Sequence, residues 1–220
     1  MFLTEEDKDS FLNKGYTIID DFLPTKLCNE LYNSFQENND FKKITQERTN
    51  HYKTILKTDK PNFPSQEEIY LSSFNKSESL VVNKYIKEFN THIKKYMLEL
   101  SDVEIKYYTN PLCYKLSKGD FLRMHRDLYA GEVGYTLYLT KNWVWDWGGI
   151  LNVYLENDNV IPILPKYNRI IFRNEKTKLN HFVSEITSFA KNDRFSINGW
   201  ASVKNLSDTL GNKTIGGYNE

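Results

Sequence analysis

The 220-residue chain carries 29 Lys+Arg and 29 Asp+Glu residues, so its net charge is zero. This balance gives no electrostatic reason to expect a nucleic-acid or membrane partner. Its two cysteines, Cys28 and Cys113, lie in unlike segments and form no CxxC pair, which argues against a disulfide framework or a zinc cluster. Because the chain has neither a signal-peptide pattern nor an apolar run of about 18 residues, we expect a cytoplasmic protein without a membrane span.

The first hundred residues are predicted to be mostly helical. Thr4 and Asp7 form a helix-capping pattern, and Gly15 suits the end of that short helix. A strand is expected at Tyr16–Ile19. Pro24 then begins a second helix, in which apolar residues recur at a spacing of four: Leu27, Leu31 and Phe35.

The next two segments differ in pattern. Residues 40–75 are polar and irregular and predict loops, with room for a short hairpin. Residues 77–100 predict a long helix, because one stripe carries apolar side chains at helical spacing: Val81, Tyr85, Phe89, Ile93 and Met97.

Beyond residue 100, short β-like runs alternate with turn residues. They span 112–116, 134–139, 150–155, 160–164, 169–172, 181–186 and 194–200. Short strands at this spacing, in a chain that is 15% aromatic, favour a β-sandwich or barrel over a parallel α/β sheet. We predict one α+β domain over residues 1–220, with helical support in 1–100, a β-rich core in 101–203 and a loose tail in 204–220. It is expected to be a monomer or homodimer.

His125 and Asp127 are two residues apart, so on a strand they present an imidazole and a carboxylate to one face. One further histidine would complete a two-His, one-carboxylate set. Such a set binds three positions of an octahedral iron(II) and leaves the opposite face open for a 2-oxo acid and O2. The triplet alone is weak evidence, since a surface salt bridge or a turn gives the same pattern.

His181 is the best candidate for the third ligand, because it lies near the start of a later β-like run. The other two histidines fit worse. His51 lies in the irregular segment, and His92 is expected on the surface of the 77–100 helix.

A 2-oxo acid bound at such a metal needs a cation for its distal carboxylate, which would be buried. Arg194 begins a strand-like run, and Ser196 shares its face by the period of two. A guanidinium fork beside a hydroxyl suits a carboxylate.

Five ordered segments resemble the prolyl 4-hydroxylase-like branch of the iron(II)- and 2-oxoglutarate (2OG)-dependent dioxygenases: residues 114–127, 138–143, 147–151, 181–186 and 194–200. Residues 19–24 are also similar to the family's N-terminal segment. The last two of the five segments look most like the enzymes that hydroxylate a prolyl residue of a ribosomal protein.

The resemblance implies a double-stranded β-helix, or jelly roll, with N-terminal helices packed on it. It implies iron(II) at His125, Asp127 and His181, with O2 as co-substrate and ascorbate as a supporting reductant. An aspartate at the second position also separates this chain from related halogenases, which have a small residue there.

The same resemblance implies how 2OG is bound. Its distal carboxylate would contact Arg194 and Tyr138. Tyr114 matches a tyrosine that lines the same pocket, and Ser196 is the fourth residue assigned to it.

The activity implied is hydroxylation of a C–H bond, with a prolyl residue in a peptide or protein as the leading substrate. A free amino acid or a small natural product is the alternative substrate. A catalytically silent jelly roll that binds a ligand is an alternative of another class, which the intact ligand set and Arg194 disfavour. A cupin-like metal protein would bring more histidines to the metal.

Two further groups of residues invite a functional interpretation. Trp143, Trp145 and Trp147 could stack on substrate, but at least two of them are expected to pack in the core or at its rim. By the period of two, Arg123 is expected on the ligand face, where it could reach substrate, and Arg126 on the opposite face.

Overall fold

The computed structural model describes residues 3–47, 70–127, 131–155, 159–177 and 179–204. Its helices are α1 (Glu5–Asp9), which continues as a π-helical turn to Lys14, α2 (Thr25–Glu37) and α3 (Lys84–Leu100). Its strands are β1 (Tyr16–Ile19), β2 (Lys42–Glu47), β3 (Tyr70–Ser77), β4 (Tyr107–Tyr108), β5 (Leu112–Leu116), β6 (Phe121–His125), β7 (Val133–Tyr138), β8 (Leu151–Tyr154), β9 (Val160–Ile163), β10 (Ile170–Asn174), β11 (Asn180–Val183) and β12 (Arg194–Ser202).

The strands form one continuous antiparallel sheet that folds over on itself. The order along the sheet is β1-β10-β7-β12-β5-β3-β6-β11-β8-β9, with β2 paired to β3 and β4 paired to β12. Strand β3 links the two halves, because its residues 75–77 pair with β5 whereas residues 72 and 73 pair with β6. The predicted β-rich α+β class is confirmed.

The central strands carry two different faces, and both are buried. On β10, Ile170 and Phe172 pack against the helices, while Ile171 joins a second apolar cluster between the two halves of the sheet. On β12, Phe195 packs toward the helices and Arg194 points into a cavity. The helices thus cover the outside of one half of the sheet, and the inside of the fold is left for the site.

The first two helices are as predicted. Thr4 accepts a hydrogen bond from the backbone N–H of Asp7 (3.1 Å), Asp7 accepts one from the backbone N–H of Thr4 (2.9 Å), and Gly15 ends the helical turn with a positive φ of 85°. Helix α2 begins after Pro24 and buries its predicted stripe together with one cysteine: Leu27, Cys28, Leu31 and Phe35.

The third helix begins later than predicted. Strand β3 continues to Ser77, which pairs with Cys113, and Asn83 caps α3 by accepting a hydrogen bond from the backbone N–H of Tyr85. The buried stripe is Ile86, Phe89, Ile93, Tyr96, Met97 and Leu100, whereas Tyr85 is only half-buried. The side chain of Val81 lies outside the described part of the chain.

His92 on α3 is half-buried, and its ring lies 5.6 Å from the Phe22 ring, centroid to centroid. The prediction of a surface histidine is therefore wrong, although the helix that carries it is correct.

The segment predicted as loops contains two strands. Residues 42–47 and 70–77 pair as a hairpin, longer than the short one expected. Among the described strands, β2 pairs with β3 alone and is an edge strand, which accounts for its polar sequence. Residues 48–69, which include His51, and residues 205–220 of the predicted tail lie outside the described residues. None of the described helices is long and apolar enough to cross a membrane.

Candidate active site

Three side chains with metal-binding groups meet inside the fold. His125 ends β6, His181 lies on β11, and the two residues are paired across that ladder. The Nε2 atoms of His125 and His181 lie 3.7 and 3.6 Å from the two carboxylate oxygens of Asp127. One ligand atom from each of the three residues lies within 4.8 Å of the others. The fold therefore brings together the three residues that the sequence predicts.

The route by which Asp127 reaches the site differs from the prediction. Strand β6 ends at His125, so Asp127 lies in the segment after the strand. In addition, His181 pairs with His125 but Val183 pairs with Leu122, so β6 carries an extra residue in a bulge. A regular strand with a period of two describes only part of this segment.

Backbone carbonyl groups set the tautomers of both histidines. The Nδ1 atom of His125 lies 2.7 Å from the carbonyl oxygen of Arg123, and that of His181 lies 3.4 Å from the carbonyl oxygen of Leu179. Because a carbonyl only accepts hydrogen bonds, Nδ1 carries the proton and the lone pair of Nε2 faces Asp127. This is the arrangement that a metal-binding histidine requires.

Burial reinforces this state at His181. Burial, together with the adjacent His125 and Arg173, lowers the pKa of His181 to about 3, although Asp127 opposes the shift. The imidazole is therefore neutral at physiological pH, which is the form that binds metal ions.

The carboxylate of Asp127 is held from one side by two donors. Nη2 of Arg173 (2.9 Å) and Nε1 of Trp200 (3.2 Å) both donate to its Oδ2 atom. Burial by itself would raise the pKa of Asp127, but His181, Arg173, His125 and the Trp200 hydrogen bond lower it to about 2. Asp127 is thus ionised and ready to act as a ligand.

The triad fits a divalent metal ion. Bonds from such ions to nitrogen or oxygen are about 2.0–2.2 Å long, so neighbouring ligand atoms lie about 3 Å apart. The two His–Asp separations, 3.6 and 3.7 Å, would shorten by about 0.6–0.7 Å around an ion. Two neutral imidazoles and one carboxylate are the ligand set of non-haem iron(II).

Arg194 and Tyr138 line the same cavity, which has a volume of about 150 Å³. The guanidinium carbon of buried Arg194 lies 4.8 Å from the centre of the Tyr138 ring. Neither Nε of Arg194 nor the hydroxyl of Tyr138 has a hydrogen-bond partner in the described structure. Burial lowers the pKa of Arg194 and raises that of Tyr138. A buried cation with no carboxylate partner among the described residues, next to the hydroxyl of Tyr138, fits the carboxylate of a ligand.

The other two residues assigned to 2OG lie next to this pair. Ser196 on β12 lies opposite Tyr114 of β5 on one side and Tyr138 of β7 on the other. The four predicted co-substrate residues therefore lie on three adjacent strands and line one cavity. The hydroxyl of Ser196 already accepts a 3.2 Å hydrogen bond from the Asn198 amide.

Both rim arginines lie at the cavity. Arg123 lines it as expected, but Arg126 lines it as well, and its Nε donates a 2.6 Å hydrogen bond to Oδ1 of Asn180. The prediction that Arg126 faces away is wrong, because the strand has ended before that residue.

The tryptophans mostly serve packing. Trp143 is buried and its ring meets that of Trp147 edge-on at 5.1 Å, whereas Trp145 is 55% exposed. None of the three is among the residues that line the cavity. The packing interpretation is therefore the correct one for two of them.

Sequence reasoning missed five polar residues of the cavity: Ser72, Thr136, Arg173, Asn198 and Trp200. The period of two on β12 could have found Asn198 and Trp200, since both share the face of Arg194. For Arg173, the available signal was a cation inside a strand that is otherwise buried and apolar.

Comparisons with known proteins point to one superfamily. Residues 112–202 match the family model of the 2OG-Fe(II) oxygenase superfamily, and this range contains all seven predicted site residues. This part of the chain, which includes the His125–Asp127–His181 triad, is thus similar to the 2OG-Fe(II) oxygenase superfamily. Over 112 residues, the chain is 28% identical to the mouse protein named prolyl 3-hydroxylase OGFOD1, and the match covers 48% of this chain and 20% of that protein. The chain thus spans about a fifth of that relative's length.

Solved structures share the fold of this chain. A prolyl hydroxylase in complex with a hypoxia-inducible-factor peptide, from Trichoplax adhaerens, has a TM-score of 0.68 at 16% identity and covers 93% of this chain and 90% of its own. A Pseudomonas putida prolyl-4-hydroxylase has a TM-score of 0.64 at 14% identity, with 90% and 98% covered. The predicted double-stranded β-helix is confirmed.

Proposed function

We propose that this chain is a 2OG-Fe(II) dioxygenase that hydroxylates a prolyl residue of a peptide or protein. One observation carries the dioxygenase part of the proposal. The metal-ligand triad and a buried cation that no described carboxylate pairs with, Arg194, lie in a single cavity. A ligand-binding module would have no need of both.

Each site residue has a distinct task in this proposal. His125, Asp127 and His181 hold iron(II). Iron(II) in this site, with 2OG and O2, supplies the oxidising chemistry that turns a C–H bond into C–OH while 2OG becomes succinate and CO2. Arg194 and the hydroxyl of Tyr138 donate hydrogen bonds to the distal carboxylate of 2OG.

Apolar walls complete the site. Phe74, Leu122, Leu151 and Val183 line the cavity together with the polar groups. They exclude water, which strengthens the interactions of Arg194 with an anion and protects the oxidising chemistry from side reactions.

The prolyl substrate rests on similarity. The mouse relative is named as a prolyl 3-hydroxylase, and the Trichoplax neighbour is a prolyl hydroxylase in complex with a peptide. In the proposal, a substrate peptide enters past Arg123 and Arg126 at the rim. A cytoplasmic location is part of the proposal and is supported by two free cysteine thiols, Cys28 and Cys113, both buried.

The test begins with purified protein, iron(II), 2OG and air, in the presence of a library of proline-containing peptides. Formation of succinate and the gain of one oxygen atom at a prolyl residue are expected, both measured by mass spectrometry. Oxidation of a free amino acid or a natural product, with peptides untouched, would refute the prolyl assignment and leave the dioxygenase assignment in place. Absence of succinate under all conditions would refute both.

Asp127→Ala provides the decisive variant. It removes the only anionic ligand of the triad, so we expect no succinate and no visible absorption band when iron(II) and 2OG are mixed anaerobically. Asp146→Ala is the matched control, because Asp146 is an exposed aspartate that does not line the cavity. An Asp127→Ala protein with wild-type turnover would overturn the ligand assignment.

A further inference from the structure

The two oxygens of Asp127 have different surroundings. Oδ2 accepts hydrogen bonds from Arg173 (2.9 Å) and Trp200 (3.2 Å). Oδ1 lies 3.7 Å from Nε2 of His125, and no described residue donates a hydrogen bond to it. Oδ2 also lies 3.6 Å from Nε2 of His181, so each oxygen faces one histidine. Only Oδ2 is hydrogen-bonded by described residues, and Oδ1 is left for a metal ion.

The guanidinium of Arg173 forms a hydrogen bond through each of its three nitrogens. Its Nε donates to Oε1 of Glu175 (3.1 Å), its Nη1 to the hydroxyl of Thr136 (3.1 Å) and its Nη2 to Asp127. The residue is 4% exposed. A planar guanidinium bonded through all three nitrogens has a fixed orientation, so the position of Oδ2 is fixed with it.

A glycine lets the two donors converge. In the sheet register, Gly134 of β7 lies directly between Arg173 of β10 and Trp200 of β12. A Cβ atom at Gly134 would lie 2.8 Å from Nη2 of Arg173 and 3.1 Å from Cδ1 of Trp200 and would also collide with Oε1 of Glu175. Because Gly134 has no side chain, the side chains of Arg173 and Trp200 can both extend across β7 to Asp127.

We propose that Arg173 and Trp200 are positioning residues that fix Asp127 as a single-oxygen ligand, presenting Oδ1 to iron(II). The inference rests on the proposed function. A carboxylate that binds through both oxygens would take a second position at the metal. Holding Oδ2 away from the metal keeps that position open for 2OG or O2.

The test compares Arg173→Lys, Arg173→Gln/Glu175→Gln and Trp200→Phe with the wild type. The double variant removes both buried charges together, so that Glu175 is not left unpaired.

Iron(II) affinity is measured by anaerobic titration without 2OG, and the visible spectrum of the cobalt(II)-loaded protein reports the number of ligands. Loss of an outer partner of a metal ligand typically costs about 10–100-fold in metal affinity. We expect a loss of that size for the double variant, a smaller one for Trp200→Phe, partial recovery in Arg173→Lys, and a changed cobalt(II) spectrum.

One control variant and one further measurement make the result specific. Arg169→Gln removes an arginine next to β10 that pairs with Asp20 and does not line the cavity, and it should leave iron(II) affinity unchanged. In the iron-saturated double variant, 2OG affinity should also fall, because Oδ2 can then occupy a position at the metal that 2OG or O2 needs.

The outcomes separate the two proposals. A folded double variant with wild-type iron(II) affinity and an unchanged cobalt(II) spectrum would overturn the positioning role. If the Arg173 variants do not fold, Trp200→Phe becomes the deciding variant. An unchanged iron(II) affinity and cobalt(II) spectrum for Trp200→Phe would also overturn the positioning role. A wild-type protein that binds no iron(II) would instead refute the proposed function itself.

Discussion

The two buried arginines of the cavity differ in one respect that separates their roles. Arg173 donates to Glu175, Thr136 and Asp127, so all three of its nitrogens are paired within the protein. Arg194 is equally buried, yet its Nε has no partner and no described carboxylate pairs with it. Since a buried charge is costly unless it is paired, an arginine bonded to the protein through each of its nitrogens can maintain structure, whereas one without a described carboxylate partner indicates an anionic ligand.

The largest effect is expected from Arg194→Ala. Truncating one partner of a buried charge pair costs about 2–5 kcal/mol, so the Kd of 2OG should rise by roughly 30-fold or more. Isothermal titration of the iron-loaded protein would measure it, with Arg194→Lys as the charge-retaining control. Unchanged 2OG affinity would show that Arg194 does not bind the co-substrate. The different pairing of Arg173 and Arg194 would then not indicate different roles.

Tyr138→Phe should produce opposite effects on stability and on binding. Its hydroxyl is buried without a partner among the described residues, and such a group costs about 1–3 kcal/mol. The ligand-free variant should therefore have a higher Tm than the wild type. Its 2OG affinity should fall, because a hydrogen bond to a charged group contributes about 1.5–3 kcal/mol. Thermal denaturation with and without 2OG measures both effects. A variant that is less stable in both conditions would mean that the hydroxyl has a protein partner.

The smallest effect is expected at a third arginine, which lies outside the cavity. Arg169 binds Asp20 through Nε (2.6 Å) and Nη2 (3.0 Å), and this hydrogen bonding, with Lys166 nearby, lowers the pKa of Asp20 to about 2. A carboxyl whose folded-state pKa is lowered adds stability above its unfolded pKa of about 4, and this stability is lost as the pH falls toward 2.

Asp20→Asn should therefore cost less than about 1 kcal/mol at neutral pH, since the pair is partly exposed. The difference from the wild type should shrink as the pH is lowered from about 4 to about 2, as measured by denaturant unfolding at each pH. Turnover and 2OG affinity should not change. A difference that grows on acidification would contradict the lowered pKa.

Local patterns predicted the elements whose stabilising contacts are also local. The Thr4–Asp7 cap and the stripe of α2 depend on residues three or four positions apart, and both are found as expected. The predicted start of the third helix is wrong, because Ser77 belongs to a strand paired with Cys113, 36 positions further along the chain. Pairings of that kind cannot be read from a window of neighbouring residues.

The site divides in the same way. His125, Asp127, His181 and Arg194 could be named from their chemistry and chain order, because a metal with an open face requires that set of side chains. The route of Asp127 could not be predicted, since β6 bulges and ends at His125. The direction of Arg126 was misjudged for the same reason.

The sequence by itself predicted the ligand types, a cation for 2OG and the β-rich core, because these predictions depend on residue chemistry and on periods of two and four. Only the tertiary structure decided which arginine is hydrogen-bonded to the protein through all three nitrogens and which has no carboxylate partner among the described residues. That distinction depends on Arg173, Gly134 and Trp200 lying in one row across three strands that are distant in the chain. Sheet register, which no local pattern specifies, places these three residues beside Asp127 and leaves Arg194 open to a ligand.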